Sequence, residues 1–236
     1  MHAMPTINSQ ANAEPSKKAL SLVVAGYSIG AAGLIVLLTA NGHSLPSAAT
    51  VGTDAPVVIG LLVTTMGMIQ AGRLARNRAE KRTGSATRGL NMQGVGLVGL
   101  LIGTILIMAV STFTGCLLGA VFITISAALS LAGVLLLRWY FVGQGIAKLS
   151  RVGNLIFLGT TTIFSGAELI AGSKVAFEEY FISQVQNTVY VDIGATISAC
   201  GCVIAAYSYL QLRNRISWSF EELTKELTKS GSLDAL

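Results

Sequence analysis

The sequence predicts an all-α integral membrane protein: six transmembrane helices arranged as three consecutive hairpins, with both termini cytoplasmic. Two observations set the class and a third sets the threading. Of 236 residues, 52% are hydrophobic and only 11% are charged, against roughly 25% charged in soluble domains. So short a chain cannot hide that much apolar surface from water, whereas a bilayer removes the need to. The apolar runs are continuous and lack the strict alternation of barrel strands, so the spans are helical. The third observation is where lysine and arginine fall.

Residues 1–18 form a polar tail ending in Lys17-Lys18. The first apolar run, Ala19–Ala40, exceeds the roughly 7–15 residues of a signal-peptide core. Leu38-Thr39-Ala40 is a poor cleavage site, so the run reads as a retained span. Further windows of the length needed to cross about 30 Å of hydrocarbon lie at 55–72, 94–110, 116–137, 152–172 and 191–210. The apolar stretch from Gly94 to Leu137 is too long for one helix. It divides at residues 111–115, STFTG, where Ser, Thr and Gly suit a tight turn. The six spans make one transmembrane domain over residues 19–212, followed by a cytoplasmic tail, 213–236.

Six spans with cytoplasmic termini place 15 of the 16 basic residues on one side, with Lys174 alone outside, as the positive-inside rule requires. Fusing the third and fourth spans would put the last four basic residues outside. The largest group, Arg73, Arg76, Arg78, Lys81, Arg82 and Arg88, lies in one connection. It reads as a topology signal in contact with anionic headgroups, or as a partner site. Nucleic acid is excluded because the segment lacks the aromatics that stack on bases. The absence of an Asn-x-Ser/Thr acceptor agrees with a bacterial inner membrane.

Two appendages carry pattern. The segment 173–190, SKVAFEEYFISQVQNTVY, predicts a helix or turn at the outer interface. In 217–229, Ser219 and Glu222 form a capping-box signature and Phe220, Leu223 and Leu227 share a face. That segment reads either as a short amphipathic helix or as a continuation of the sixth span.

Motifs resembling chemistry do not survive their context. Gly94-Val95-Gly96-Leu97-Val98-Gly99 matches the dinucleotide fingerprint, but no strand precedes it and the next acid is Glu168. Its glycines instead supply a smooth packing face, as do Gly26 and Gly30, and such faces also favour oligomers. Cys200 and Cys202 point about 200° apart on a helix and cannot share a metal. His2 and His43 lie outside the spans. The sequence therefore predicts neither an enzyme nor a cofactor.

The candidate site is on the fifth span. Asn154, Thr161, Ser165, Glu168 and Gly172 follow spacings of 7, 4, 3 and 4 along one helix side. Ile156, Gly159, Ile163, Gly166 and Ile170 take the other. An intramembrane acid costs about 2.5–3.5 kcal/mol at the bilayer centre and defaults to a functional reading. Gly172 is read as the span's end, which puts Glu168 about 6 Å below the outer boundary. Asp192, at the outer entrance of the sixth span, completes a possible acidic vestibule. The leading expectation is a channel or carrier for a small solute or ion, with this stripe as its path. Its rival is a non-transporting scaffold or assembly subunit, homo- or hetero-oligomeric, working through the 73–88 loop and the C-terminal tail.

Overall fold

The computed structural model describes the backbone of residues 9–41, 47–77, 84–110, 112–143 and 147–229, and the side chains of 17–39, 55–74, 86–110, 112–143 and 149–214. The described residues form six helices: α1 (Ser9–Asn41), α2 (Ser47–Asn77), α3 (Gly84–Ala109), α4 (Phe113–Gly143), α5 (Ala147–Glu178) and α6 (Gln184–Lys229). Each contains a stretch long and apolar enough to cross a membrane. Among the described residues there is no strand.

The apolar stretches run beyond the windows expected from sequence. The third begins at Ala86 rather than Gly94, which draws Gln93 into the bundle and leaves Asn91 exposed on the same span. The fifth continues to Glu178 rather than Gly172. Gly172 is an exposed mid-helix position with nothing within 4 Å of where its side chain would be, and a single glycine costs an α-helix only about 1 kcal/mol, too little to end it. The turn within STFTG is built by Thr112. Its carbonyl accepts from the Cys116 amide at 2.9 Å and its hydroxyl accepts from the Gly115 amide at 3.3 Å, a side-chain cap for the start of α4.

The aromatic segment between the fifth and sixth spans is a short turn between two long helices. α5 ends with the Phe181 amide donating to the Ala176 carbonyl (2.9 Å) and the Tyr180 amide to that of Phe177 (3.0 Å). Tyr180 sits at φ 61°, so this is a helix-ending motif whose left-handed position, usually glycine, is filled by tyrosine. α6 then starts with a reciprocal capping box. The Ser183 amide donates to Gln186 Oε1 (2.9 Å), and the Gln186 amide donates to Ser183 Oγ (3.3 Å).

Consecutive helices pack on each other and α6 returns to pack on α1, so the six close into a ring. Three of these contacts are glycine seams with antiparallel register. Gly26 of α1 abuts Gly60 and Thr64 of α2, while Gly67 abuts Ala19 and Val23. Gly96, Gly99 and Gly103 of α3 meet Ser130, Ser126 and Ile123 of α4. Gly159 and Gly166 of α5 face Ala205 and Ser198 of α6. In lipid there is little hydrophobic gain from helix association, so close backbone approach and van der Waals contact must hold the helices together. Gly26, Gly99 and Gly103, noted in the sequence, are therefore covered by the chain's own helices, whereas the side-chain position of Gly30 is open. Large apolar side chains such as Ile35, Met66, Val95, Ile125 and Leu158 lie on the outside. α6 continues as one helix through 217–229, whose side chains lie outside the described residues.

Candidate functional site

The ring encloses a cavity of about 100 Å³ to which all six helices contribute. It occupies the half of the bundle nearer the α1–α2, α3–α4 and α5–α6 connections, here the turn end. On α1 its lining runs from Gly26 to Leu37, on α3 from Leu97 to Met108, and on α5 from Ile163 to Ile170. The walls are aliphatic, with Leu34, Val57, Leu61, Leu100 and Ile123 among them. The few polar groups are mostly engaged with backbone. The Thr64 hydroxyl donates to the Gly60 carbonyl at 2.8 Å, that of Thr104 to Leu100 at 2.8 Å, and that of Ser198 to Ile163 at 3.1 Å. Met108, 37% exposed, carries the lining to the surface at the turn end. α2 and α3 are the most loosely apposed neighbours in the ring.

Toward the chain termini the interior closes. Tyr27 at the cavity floor stacks on Tyr209, with centroids 6.0 Å apart and planes at 15°. The Tyr209 hydroxyl donates to Gln93 Oε1 at 2.8 Å. This bond crosses the ring from α6 to α3, two helices that are not neighbours in it. Gln93 and Tyr209 are both wholly buried. Gln93 Nε2 has no hydrogen-bond partner, and leaving such a group unpaired costs about 1–3 kcal/mol. Ser130 Oγ and Thr160 Oγ1 are likewise buried without partners.

The stripe predicted on the fifth span lies on α5 but outside the ring. Asn154, Ser165, Glu168 and Gly172 are exposed, and Thr161 is half-buried. The opposite side, Ile156, Gly159, Ile163 and Gly166, is buried, and Ile163 and Ile170 reach the cavity. Asn154 Oδ1 accepts from Arg138 Nε of α4 at 2.7 Å, and that guanidinium lies over Phe157 at 6.0 Å. The Thr161 hydroxyl is satisfied within its own helix by the Phe157 carbonyl at 2.9 Å. Asp192 is half-buried on α6. α5 continues past Gly172 to Glu178, so the 6 Å depth inferred for Glu168 does not follow from where the helix ends.

Of the basic cluster, Arg73 and Arg88 are exposed, and the side chains of Arg76, Arg78, Lys81 and Arg82 lie outside the described residues. Cys202 lines the cavity whereas Cys200 is exposed, in keeping with opposite helix faces. Among the described residues no three metal-ligating side chains come together. Sequence reasoning missed Gln93. The signal is an uncharged amide just ahead of a glycine-rich apolar run, one residue before the span expected at 94–110. Compared with family models, curated proteins and solved structures, the chain matches none of them.

Proposed function

We propose that this chain is a small multi-pass carrier whose working space is the cavity inside its six-helix ring. In this reading the ring consists of three hairpins with both termini cytoplasmic, as the basic residues require, in a bacterial inner membrane. The observation that carries it is an interior space lined by all six helices, reaching the surface at one end and closed at the other by Tyr27, Tyr209 and Gln93. A binding space closed on one side is what alternating access needs. The aliphatic lining favours an uncharged solute, because burying an unpaired ion is far more costly than burying a neutral group. Arg73, Arg88 and the rest of their cluster hold the cytoplasmic face to anionic headgroups.

The test is efflux of a panel of small neutral solutes from phospholipid vesicles containing the purified protein. At least one solute should leave faster than from protein-free vesicles, and Gly30→Val should abolish the acceleration. The Gly30 side-chain position is open, with only Cys202 Sγ at 3.9 Å, so a larger residue there projects into the cavity. Wild-type efflux equal to that of empty vesicles would overturn the proposal, as would full efflux through Gly30→Val.

One observation favours the rival scaffold: Ser165 and Glu168 are exposed on the flank of an otherwise lipid-compatible helix. An acid there would be better covered by a partner's helix. A partner that co-purifies with the intact chain and is lost with Glu168→Leu would support it.

A further inference from the structure

We infer that the outer groove between α4 and α5, at the terminal end of the bundle, is a binding site for the phosphate of an anionic phospholipid, with the Arg138 guanidinium as its fork and Arg151 as a second positive charge. The inference goes beyond the cavity reading. It concerns the lipid in which the ring is set and does not depend on what passes through the ring.

Depth comes from the register of the two helices. A Cβ on Gly153 of α5 would lie 3.3 Å from Arg138 Cα, so the helices are level there. From Asn154, the next residue, α5 rises about 30 Å over the twenty residues to Lys174, which is the thickness of a hydrocarbon core. Arg138 thus stands at one edge of the apolar layer, where the headgroups begin. α4 carries no charge from Phe113 to Leu137, and the nearest acid along α5 is Glu168, about 21 Å further on.

Orientation comes from what holds the guanidinium. A helical side chain leaves its backbone toward the helix N-terminus. For α4 that is the turn end, so Arg138 leans into the apolar layer, while Asn154 and Phe157 of α5 lean the other way to meet it. Arg138 Nε donates to Asn154 Oδ1 at 2.7 Å, and the guanidinium lies 6.0 Å from the Phe157 ring centroid. An arginine with no task but to reach water would snorkel toward the end of its helix; this one is held across the groove. Among the described residues its two Nη nitrogens have no partner. The flank is open to lipid, since Asn154 is exposed, as are Trp139 and Leu158 on either side. A planar guanidinium grips phosphate through two parallel bonds. Arg151 is exposed, three residues before Asn154 on the same side of α5, and stands about one turn nearer the headgroups. Two cations, with no carboxylate at this level among the described residues, select a headgroup of net negative charge over a zwitterionic one whose ammonium they repel.

The test uses the full chain with Trp218→Phe, which leaves Trp139 as the one tryptophan, in phosphatidylcholine vesicles. Phosphatidylglycerol or phosphatidylcholine bearing a nitroxide on an acyl carbon near the glycerol is added to quench Trp139 fluorescence. Half-quenching should need at least fivefold less of the labelled phosphatidylglycerol. Arg138→Gln should bring the two lipids within twofold of each other, and Asn154→Leu, which releases the guanidinium, should at least halve the preference. Arg213→Gln on α6 should leave it unchanged. Equal quenching by the two lipids in the protein with all its arginines would overturn the site, and that comparison does not depend on whether an arginine variant folds. A preference that survives Arg138→Gln, or falls equally with Arg213→Gln, would assign the effect to the charge of the whole face and overturn the fork. The preference should persist in millimolar inorganic phosphate, set against chloride of equal ionic strength. Its loss there alone would overturn the lipid as ligand in favour of free phosphate.

Discussion

At the terminal end of the bundle the interior is filled by wholly buried side chains, among them Tyr209, Met68, Gln93 and Val152. At the turn end the same six helices stand around an aliphatic cavity. Both halves are stitched by the same device, glycines that bring backbones together, so the difference lies in what the interior positions carry. Near the termini they hold large aromatic and amide groups that reach across the ring. Near the turns they hold leucine, isoleucine and valine, which stop short of the axis. A bundle meant only to be stable has no reason to leave one half hollow, because each missing contact forfeits dispersion energy that lipid does not replace.

The sharpest way to break this comparison is to add the same side chain at a seam and at the cavity. A Cβ on Gly166 would meet the Gly194 carbonyl and stand 2.7 Å from the Ser198 amide nitrogen. Backbone cannot give way cheaply there, so Gly166→Val should destabilise the protein by about 3 kcal/mol or more. On Gly30 the same Cβ meets only Cys202 Sγ at 3.9 Å, and Gly30→Val should cost less than about 1 kcal/mol. Reversible unfolding in mixed micelles measures both. Equal losses would mean that the cavity is no roomier than a seam.

A smaller effect is expected at the closed half. Tyr209→Phe keeps the phenyl ring stacked on Tyr27 but removes the donor to Gln93 Oε1. The buried amide oxygen then loses the hydroxyl that donates to it, at a cost of about 1–2 kcal/mol. Coupling should appear in a double-mutant cycle with Gln93→Met, in which the second substitution costs little once the first is made. Additive losses would indicate that the cross-ring bond contributes nothing and that stacking alone closes this half.

These two regions were unequally legible in the sequence. The glycine seams could be read because small residues four apart in an apolar run have few other uses, and Gly26–Gly30 and Gly99–Gly103 are both in the interface. The STFTG turn could be read because its residues encode it locally. The Ser183–Gln186 capping box was equally local, but it was hidden in a segment judged by its aromatics. What the sequence could not supply was the pairing of Tyr209 with Gln93, which lie 116 residues apart. It also could not say which face of the fifth helix turns inward. The two faces were separated correctly by helical periodicity, but a helical wheel has no inside. Polar groups on a membrane helix invite the guess that they face the protein. Here the glycine seam with α6 decides the rotation, and it turns Ile163 and Ile170 to the cavity and Ser165 and Glu168 away from it.

The least effect should therefore follow the substitution that the sequence made most inviting. Glu168 is exposed on α5, and Ile163, Gly166 and Ile170 on its other side face the interior. If solutes move through the cavity, Glu168→Gln changes a charge on the outside of the ring. It should alter efflux less than twofold and stability by no more than about 0.5 kcal/mol, as for surface substitutions in general. A large change in efflux or in ion preference would relocate the path to the stripe of Asn154, Thr161, Ser165 and Glu168. That result would also require a second surface to enclose the stripe, since an exposed face of a single ring is open to lipid. The same vesicles then distinguish the cases. A stripe path needs neighbouring copies, so efflux per molecule would rise as the protein-to-lipid ratio is raised. A path inside one ring gives the same rate per molecule at every dilution.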